Sequence, residues 1–141
     1  RTDARKIAEW MLKHDGVAKQ FGIKLGKVAP GYCEAHMRVD NHMLNAVGMT
    51  HGGTSFSLAD FAFAVASNTH GITAVSLNAQ IVYPAASAEG DTLTATAREQ
   101  HLGNRSGLYS VEVRKQDDTI VAFFTGTVFR RNDSVSEWMN S

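Results

Sequence analysis

Between Asn41 and Ala88 the chain carries one Asp, Glu, Lys or Arg, and that residue is Asp60. Inside this stretch, Gly52 to about Asn68 reads as a single helix closed by His70-Gly71. Phe56, Leu58, Ala59, Phe61, Phe63 and Val65 place apolar side chains almost all the way round it. A helix without a polar face is not stable on a surface and has to be enclosed. No other helix of this length is legible, so the enclosing layer must come from strands.

The rest of the chain supplies them. From Tyr32 the sequence alternates, with Cys33, Ala35, Met37 and Val39 on one side and Glu34, His36 and Arg38 on the other. That pattern predicts a half-buried strand, entered through Ala29-Pro30-Gly31, with a shorter strand over 22–28 before it. After a loop over 41–51 and the central helix, four long strands are expected. The first, 72–83, would put Thr73, Val75, Leu77, Ala79, Ile81 and Tyr83 on one face and end at Pro84. Strands over 91–102, 108–115 and 119–131 follow, joined by turns short enough to make them antiparallel. A first helix over 3–15 is expected at the N-terminus, capped by Thr2 or Asp3 and stopped by Gly16. The last ten residues, from about 132, read as a polar tail in which Trp138 is the one candidate to dock. The expected class is α+β, one domain over 1–141, with an antiparallel sheet of five to six strands curled around one long helix.

Composition narrows the functions. With 141 residues the chain can bury roughly two-thirds of its unfolded surface without staples. Lys+Arg and Asp+Glu balance at 14 each, so no global charge recruits nucleic acid or an anionic membrane. One cysteine, Cys33, excludes an internal disulfide and fits a reducing compartment. No run approaches the roughly 18 apolar residues of a membrane span, and no apolar signal core precedes the first helix. A cytoplasmic location is the expectation. His36, His42, His70 and His101 lack zinc-ligand spacing, so no metal is expected. Ser55 and Ser57 lack the G-x-S-x-G surroundings of a hydrolase serine. Met43, Met49, Phe56 and Phe63 suit an acyl pocket or plain core packing.

Two features carry chemistry. Asp60 sits mid-helix among Phe56, Leu58, Ala59, Phe61 and Phe63. Desolvating a carboxylate costs several kcal/mol in order of magnitude, so it is either on a solvated stripe or functional. The second feature is His51-Gly52-Gly53 at the helix start. Glycine admits a ligand close to the backbone, and first-turn N–H groups attract negative charge, as an oxyanion hole requires. A merely flexible start to the helix explains the same residues. Gly52 and Asp60 are eight residues apart, roughly 12 Å along a helix, whereas a base must come within roughly 3 Å of its target. One helix cannot bring both to one carbonyl. Two antiparallel copies can, so a site that uses both residues demands a two-fold dimer.

The pattern Asn45-x5-His51-Gly52-Gly53-x6-Asp60 resembles the signature of the PaaI-like hotdog-fold thioesterases, of the phenylacetate-pathway type. The segments Val75–Tyr83 with Pro84, Gly90–Ala95 and Val121–Arg131 look like that family too, so the resemblance spans nearly the whole chain. It implies a hotdog fold, a dimer usually paired into a tetramer, and metal-free cleavage of acyl-CoA without a cofactor. It also implies aryl-acetyl thioesters (phenylacetyl or hydroxyphenylacetyl) as the favoured substrates. By resemblance, Asp60 is the catalytic carboxylate, base or nucleophile, and the Gly52 N–H polarises the thioester carbonyl. Asn45 would position water or substrate across the dimer, and His51 would order the loop, with Gly53 beside it. Ser76 falls where relatives place a hydroxyl near the acid; others place a Thr one turn after it, where this chain has Ala64. Arg105, Arg130 and Arg131 are candidates for the CoA phosphates, each equally readable as a solvated charge. A hydratase or dehydratase on the same fold, and a noncatalytic acyl-CoA-binding module, are the rival functions.

Overall fold

The computed structural model describes residues 3–141. Helix α1 covers Ala4–His14, with the Asp3 side chain accepting the N–H of Lys6 at 2.9 Å. Of the two expected caps, Thr2 lies outside the described residues. The first helix ends just ahead of Gly16, as expected, but Gly16 does not lead straight into a strand. It opens a second short helix, α2 (Gly16–Gln20), because Asp15 accepts the N–H of Ala18 at 2.9 Å and so restarts the helix after a single extended residue.

Strands β1 (Lys24–Ala29) and β2 (Tyr32–Arg38) follow, joined through Gly31 at φ 73°, where a Cβ would be strained. Cys33, Ala35, Met37 and Val39 are buried, as the alternation predicts. Helix α3 covers Gly52–Asn68. Strands β3 (Ile72–Val82), β4 (Thr92–Leu102), β5 (Ser106–Lys115) and β6 (Ile120–Ser134) complete one six-stranded antiparallel sheet in the order β1-β2-β4-β5-β6-β3. The sheet wraps α3, which packs on β2, β3, β4, β5 and β6.

Phe63 lies at the centre of the core. Its ring meets Phe124 at 5.3 Å and Tyr109 at 5.8 Å between centroids, and all three side chains are fully buried. Room for it exists only because residue 126 has no side chain: a Cβ there would lie 2.6 Å from the Phe63 ring. Gly126→Ala should therefore destabilise the protein by about 1–3 kcal/mol through overpacking. Urea unfolding at fixed protein concentration checks this, and an unchanged midpoint would refute it.

Two expectations fail. The first is the single apolar face of β3. Its pairing with β6 slips between Ser76 and Asn78, which stand opposite Val128 and Thr127, so Leu77 is an extra residue. That bulge reverses the phase of the strand. Ala74 before it and Ala79 and Ile81 after it touch the core, while Val75, Leu77 and Tyr83 are exposed. The second is the polar tail. β6 runs on to Ser134, and a short helix α4 (Val135–Met139) follows, capped reciprocally by Ser134 and Glu137. Val135 is buried, the Trp138 ring packs on Trp10 at 5.1 Å, and its Nε1 donates to Thr73 Oγ1 at 2.8 Å. Burial of these apolar groups orders a segment whose composition is mostly polar.

Candidate active site

The side of α3 that the sheet leaves uncovered is a stripe of small residues, Gly53, Ser57, Asp60 and Ala64, spaced at helical intervals. Helix α2 faces this stripe across a chamber of about 210 Å³, walled by Asp15, Val17, Ala18, Phe56 and Phe61 together with Ser57, Asp60 and Ala64. Asp60 is half-buried there, and its carboxylate has no hydrogen-bond donor among the described residues. The Ser57 hydroxyl, one turn away, is spent on the Gly53 carbonyl at 2.8 Å. Burial pushes the Asp60 pKa above its ordinary value, and the negative charge of Asp15 pushes the same way. The stripe is thus neither a fully solvated face nor closed core. It holds one carboxylate that keeps its proton more tightly than usual.

The start of α3 is built differently. His51 is the N-cap, and its Nδ1 accepts the N–H of Gly53 at 2.9 Å. A nitrogen that accepts this bond carries no proton, so the ring's proton sits on Nε2. The His51 carbonyl takes the N–H groups of Thr54 and Ser55. Gly52 N–H is left with no partner among the described residues, at the positive end of a 17-residue helix. Tyr83, at the end of β3, donates its hydroxyl to the Gly52 carbonyl at 2.8 Å. Its ring and hydroxyl stand 3.1 Å from where a Cβ on residue 52 would be, tighter than an ordinary contact.

Asn45 organises the loop beside this helix start. Its Oδ1 accepts the N–H groups of Val47 and Met49 at 3.0 and 3.1 Å. Asn45 and Gly52 both line a cleft of about 390 Å³, closed on its far side by Tyr83, Pro84 and the loop to Ser87. Asp60 lines the other chamber. Within one protomer, then, the free N–H and the carboxylate open into separate cavities.

The remaining sequence candidates fall elsewhere. Ser76 is exposed on β3 opposite Val128 and lines neither cavity. Arg105 is exposed in the β4–β5 turn, where its carbonyl accepts the N–H of Arg130. Arg130 is committed to that turn, with Nη1 donating to the Gly103 carbonyl at 2.9 Å. Arg131 pairs with Asp133 at 2.7 Å. Among the described residues no group of three His, Cys, Asp or Glu is placed to hold a metal ion. Among the described residues no helix is long and apolar enough to cross a membrane. Two residues that sequence reasoning overlooked stand at the site, Tyr83 and Asp15. Neither carries a local signal: Tyr83 lies 31 residues from the carbonyl it bonds, and Asp15 reads as an ordinary helix-end charge.

The sequence profile described as Thioesterase superfamily matches residues 47–122, which span both cavities' helix. The acyl-coenzyme A thioesterase PaaI of Escherichia coli is 38% identical over 129 residues, 92% of this chain and 92% of that protein. The solved E. coli PaaI protein, from the phenylacetic acid degradation operon, superposes with a TM-score of 0.91 over 93% of this chain and 95% of that one. Human acyl-coenzyme A thioesterase 13 is 29% identical over 77% of this chain and 80% of its own. A hypothetical thioesterase from Streptococcus pneumoniae, solved with coenzyme A, is 28% identical with a TM-score of 0.74, covering 77% of this chain and 87% of that one. Two further structures of that protein carry single alanine substitutions, of an aspartate and of a threonine sixteen residues later. The fold and the sequence agree, and the chain belongs to the PaaI-like hotdog proteins of the thioesterase superfamily.

Proposed function

We propose that this chain is an acyl-CoA thioesterase whose active site is completed by a second copy of itself. One observation carries the reading. Among the described residues the Gly52 N–H has no partner and the Asp60 carboxylate has no donor; the two lie on one helix, too far apart to meet in one protomer, at a separation an antiparallel pair of helices would reconcile. The edge of the sheet supports the pairing. β3 is an outer strand, and Val75, Leu77 (62%) and Val82 (60%), with Tyr83 just past its end, are exposed beside a backbone edge that is unpaired among the described residues. Such an edge is a template for another strand. A second copy docking β3 against β3 would cover it, and pairs of such dimers would form the tetramer.

In the proposed reaction the thioester carbonyl lies in the Gly52 cleft, its oxygen on the Gly52 N–H at the positive end of α3. Asp60 of the partner subunit takes a proton from water as the water oxygen bonds to the carbonyl carbon. The carbon–sulfur bond then breaks, and the CoA thiolate leaves with the proton that Asp60 held. Direct attack by Asp60, giving an anhydride that water then opens, uses the same placement. His51 keeps the Gly52 N–H available by occupying that of Gly53. Asn45 holds the loop that roofs the cleft, with its side-chain amide N–H groups left for water or substrate. Sixteen residues separate Asp60 from Ser76, as they separate the two substituted positions of the pneumococcal protein. This supports Ser76 as a hydroxyl brought near the acid in the assembled dimer. Of the three CoA-phosphate candidates, Arg105 is the one whose side chain has no partner among the described residues. The favoured acyl group is aryl-acetyl, by likeness to PaaI, and no metal or cofactor takes part.

Release of free thiol from a panel of acyl-CoAs tests this. Phenylacetyl, hydroxyphenylacetyl and medium-chain acyl groups belong in it. Hydrolysis of the aryl-acetyl thioesters is the expected result. Binding without turnover across the panel would instead make the chain an acyl-CoA-binding module.

A further inference from the structure

Asp15 ends α1 and begins α2, and it lines two cavities at once. One is the Asp60 chamber. The other, about 270 Å³, is formed with Trp10, Met11, His14 and Trp138. The corner that carries Asp15 is held from two directions. Its own Oδ1 is spent on the Ala18 N–H, which fixes the carboxylate at the start of α2. Behind it, Trp10 packs on Trp138, whose indole is tied to Thr73 on β3, and the His14 ring stacks on Trp10 at 3.9 Å.

Among the described residues, the chamber in front of it is lined by no charged group besides Asp15 and Asp60. Val17, Ala18, Phe56, Phe61 and Ala64 are apolar, and the Ser57 hydroxyl is turned to backbone. Of the elements packed on this side of α3, α1 brings His14 to the adjoining pocket and α2 brings Asp15 to the wall, while Lys19 of α2 is exposed. Among the described residues, no strand contributes a titratable group to the lining. Two carboxylates thus line one small chamber, whose apolar walls screen their repulsion less than bulk water would.

We propose that Asp15 is a positioning residue of the Asp60 site: held at the start of α2, its negative charge makes Asp60 a stronger base toward the attacking water. The proposal rests on the reading of Asp60 as the group that accepts water's proton. A base works best when its proton affinity approaches the working pH, and a neighbouring like charge is one way to bring a carboxylate there.

The test uses Asp15→Asn and Asp15→Ser in the full chain, since both residues cap a helix nearly as well as Asp. Titration of the Asp60 carboxyl by ¹³C NMR is the readout independent of activity. Its midpoint should fall in both variants. The acid limb of kcat/KM should fall with it, while the plateau rate at alkaline pH drops roughly two- to threefold. The profiles of wild type and variant therefore cross, which a purely structural defect would not produce. An unchanged Asp60 midpoint in folded variants overturns the role of Asp15 and leaves the thioesterase reading standing. A midpoint that falls while the acid limb stays in place overturns Asp60 as the base instead.

Discussion

Asp60→Asn lowers kcat for thioester hydrolysis by about 10²–10³-fold or more, with the protein still folded and assembled. Each tenfold loss is about 1.4 kcal/mol of transition-state stabilisation, so the expected deficit is roughly 3–4 kcal/mol. Asparagine keeps the shape of the side chain but cannot accept the proton of water or attack as a carboxylate. The same substitution has a predictable effect on stability, and its sign separates chemistry from misfolding. Burial and the nearby Asp15 hold the Asp60 pKa above its usual value, so the folded state binds this proton more tightly than the unfolded chain. That contribution is present at low pH and is lost as pH rises through the folded-state pKa. Asparagine carries no charge to desolvate and escapes the loss. At pH 8 the variant should melt at the same temperature as wild type or higher, while its activity collapses. A variant that retains full activity removes Asp60 from the mechanism, and one that melts well below wild type leaves its activity loss explained by unfolding.

Gly52→Pro produces the second large loss, about 10²–10³-fold, by deleting one N–H. The substitution suits the backbone unusually well. Residue 52 is the first of the helix, where proline is accommodated because that N–H has no intrahelical partner. The residue before it, His51, is already extended at φ −63° and ψ 133°, as a residue preceding proline prefers. The added ring meets Tyr83, whose hydroxyl end must move by a few tenths of an ångström, so Tyr83→Phe is the control for losing the hydroxyl's contact and its hydrogen bond to the Gly52 carbonyl. Mixing this variant with Asp60→Asn then tests the shared site directly. If each site takes Gly52 from one subunit and Asp60 from the other, a mixed dimer has one site with both defects and one with neither. Random reassociation makes half the dimers mixed, so about a quarter of wild-type activity should return. Activity that stays at the level of the parents means that each site draws both groups from a single subunit, and the two-fold arrangement is then wrong.

Much of this was open to inspection in the linear chain, for identifiable reasons. The limits of α3, Gly52 and Asn68, follow from the glycine pair, the length of the apolar run and the His70-Gly71 break, all of which act within a few residues. The buried row Cys33, Ala35, Met37 follows from the period of an extended strand, which needs no partner to be visible. Asp60 stood out by electrostatics alone, as one carboxylate in a long stretch without other formal charge. The separation of Gly52 from Asp60 follows from helix geometry alone.

The features that escaped depend on residues distant in sequence. Alternation along β3 extrapolates one phase, but pairing with β6 inserts Leu77 as a bulge and reverses it. The short helices α2 and α4 are below the length at which periodicity can be recognised, and they form because Asp15 and Ser134 cap them and Trp138 finds Trp10 and Thr73. Asp15 becomes part of the Asp60 chamber only when α2 folds against α3, and Tyr83 reaches Gly52 only when β3 returns along the sheet. The sequence by itself determined which elements form, which faces are apolar and which carboxylate lies among them, because periodicity, capping and charge act over one or two turns. Tertiary structure alone decided what surrounds that carboxylate, because burial and the field of a neighbouring charge exist only once separate segments are packed together.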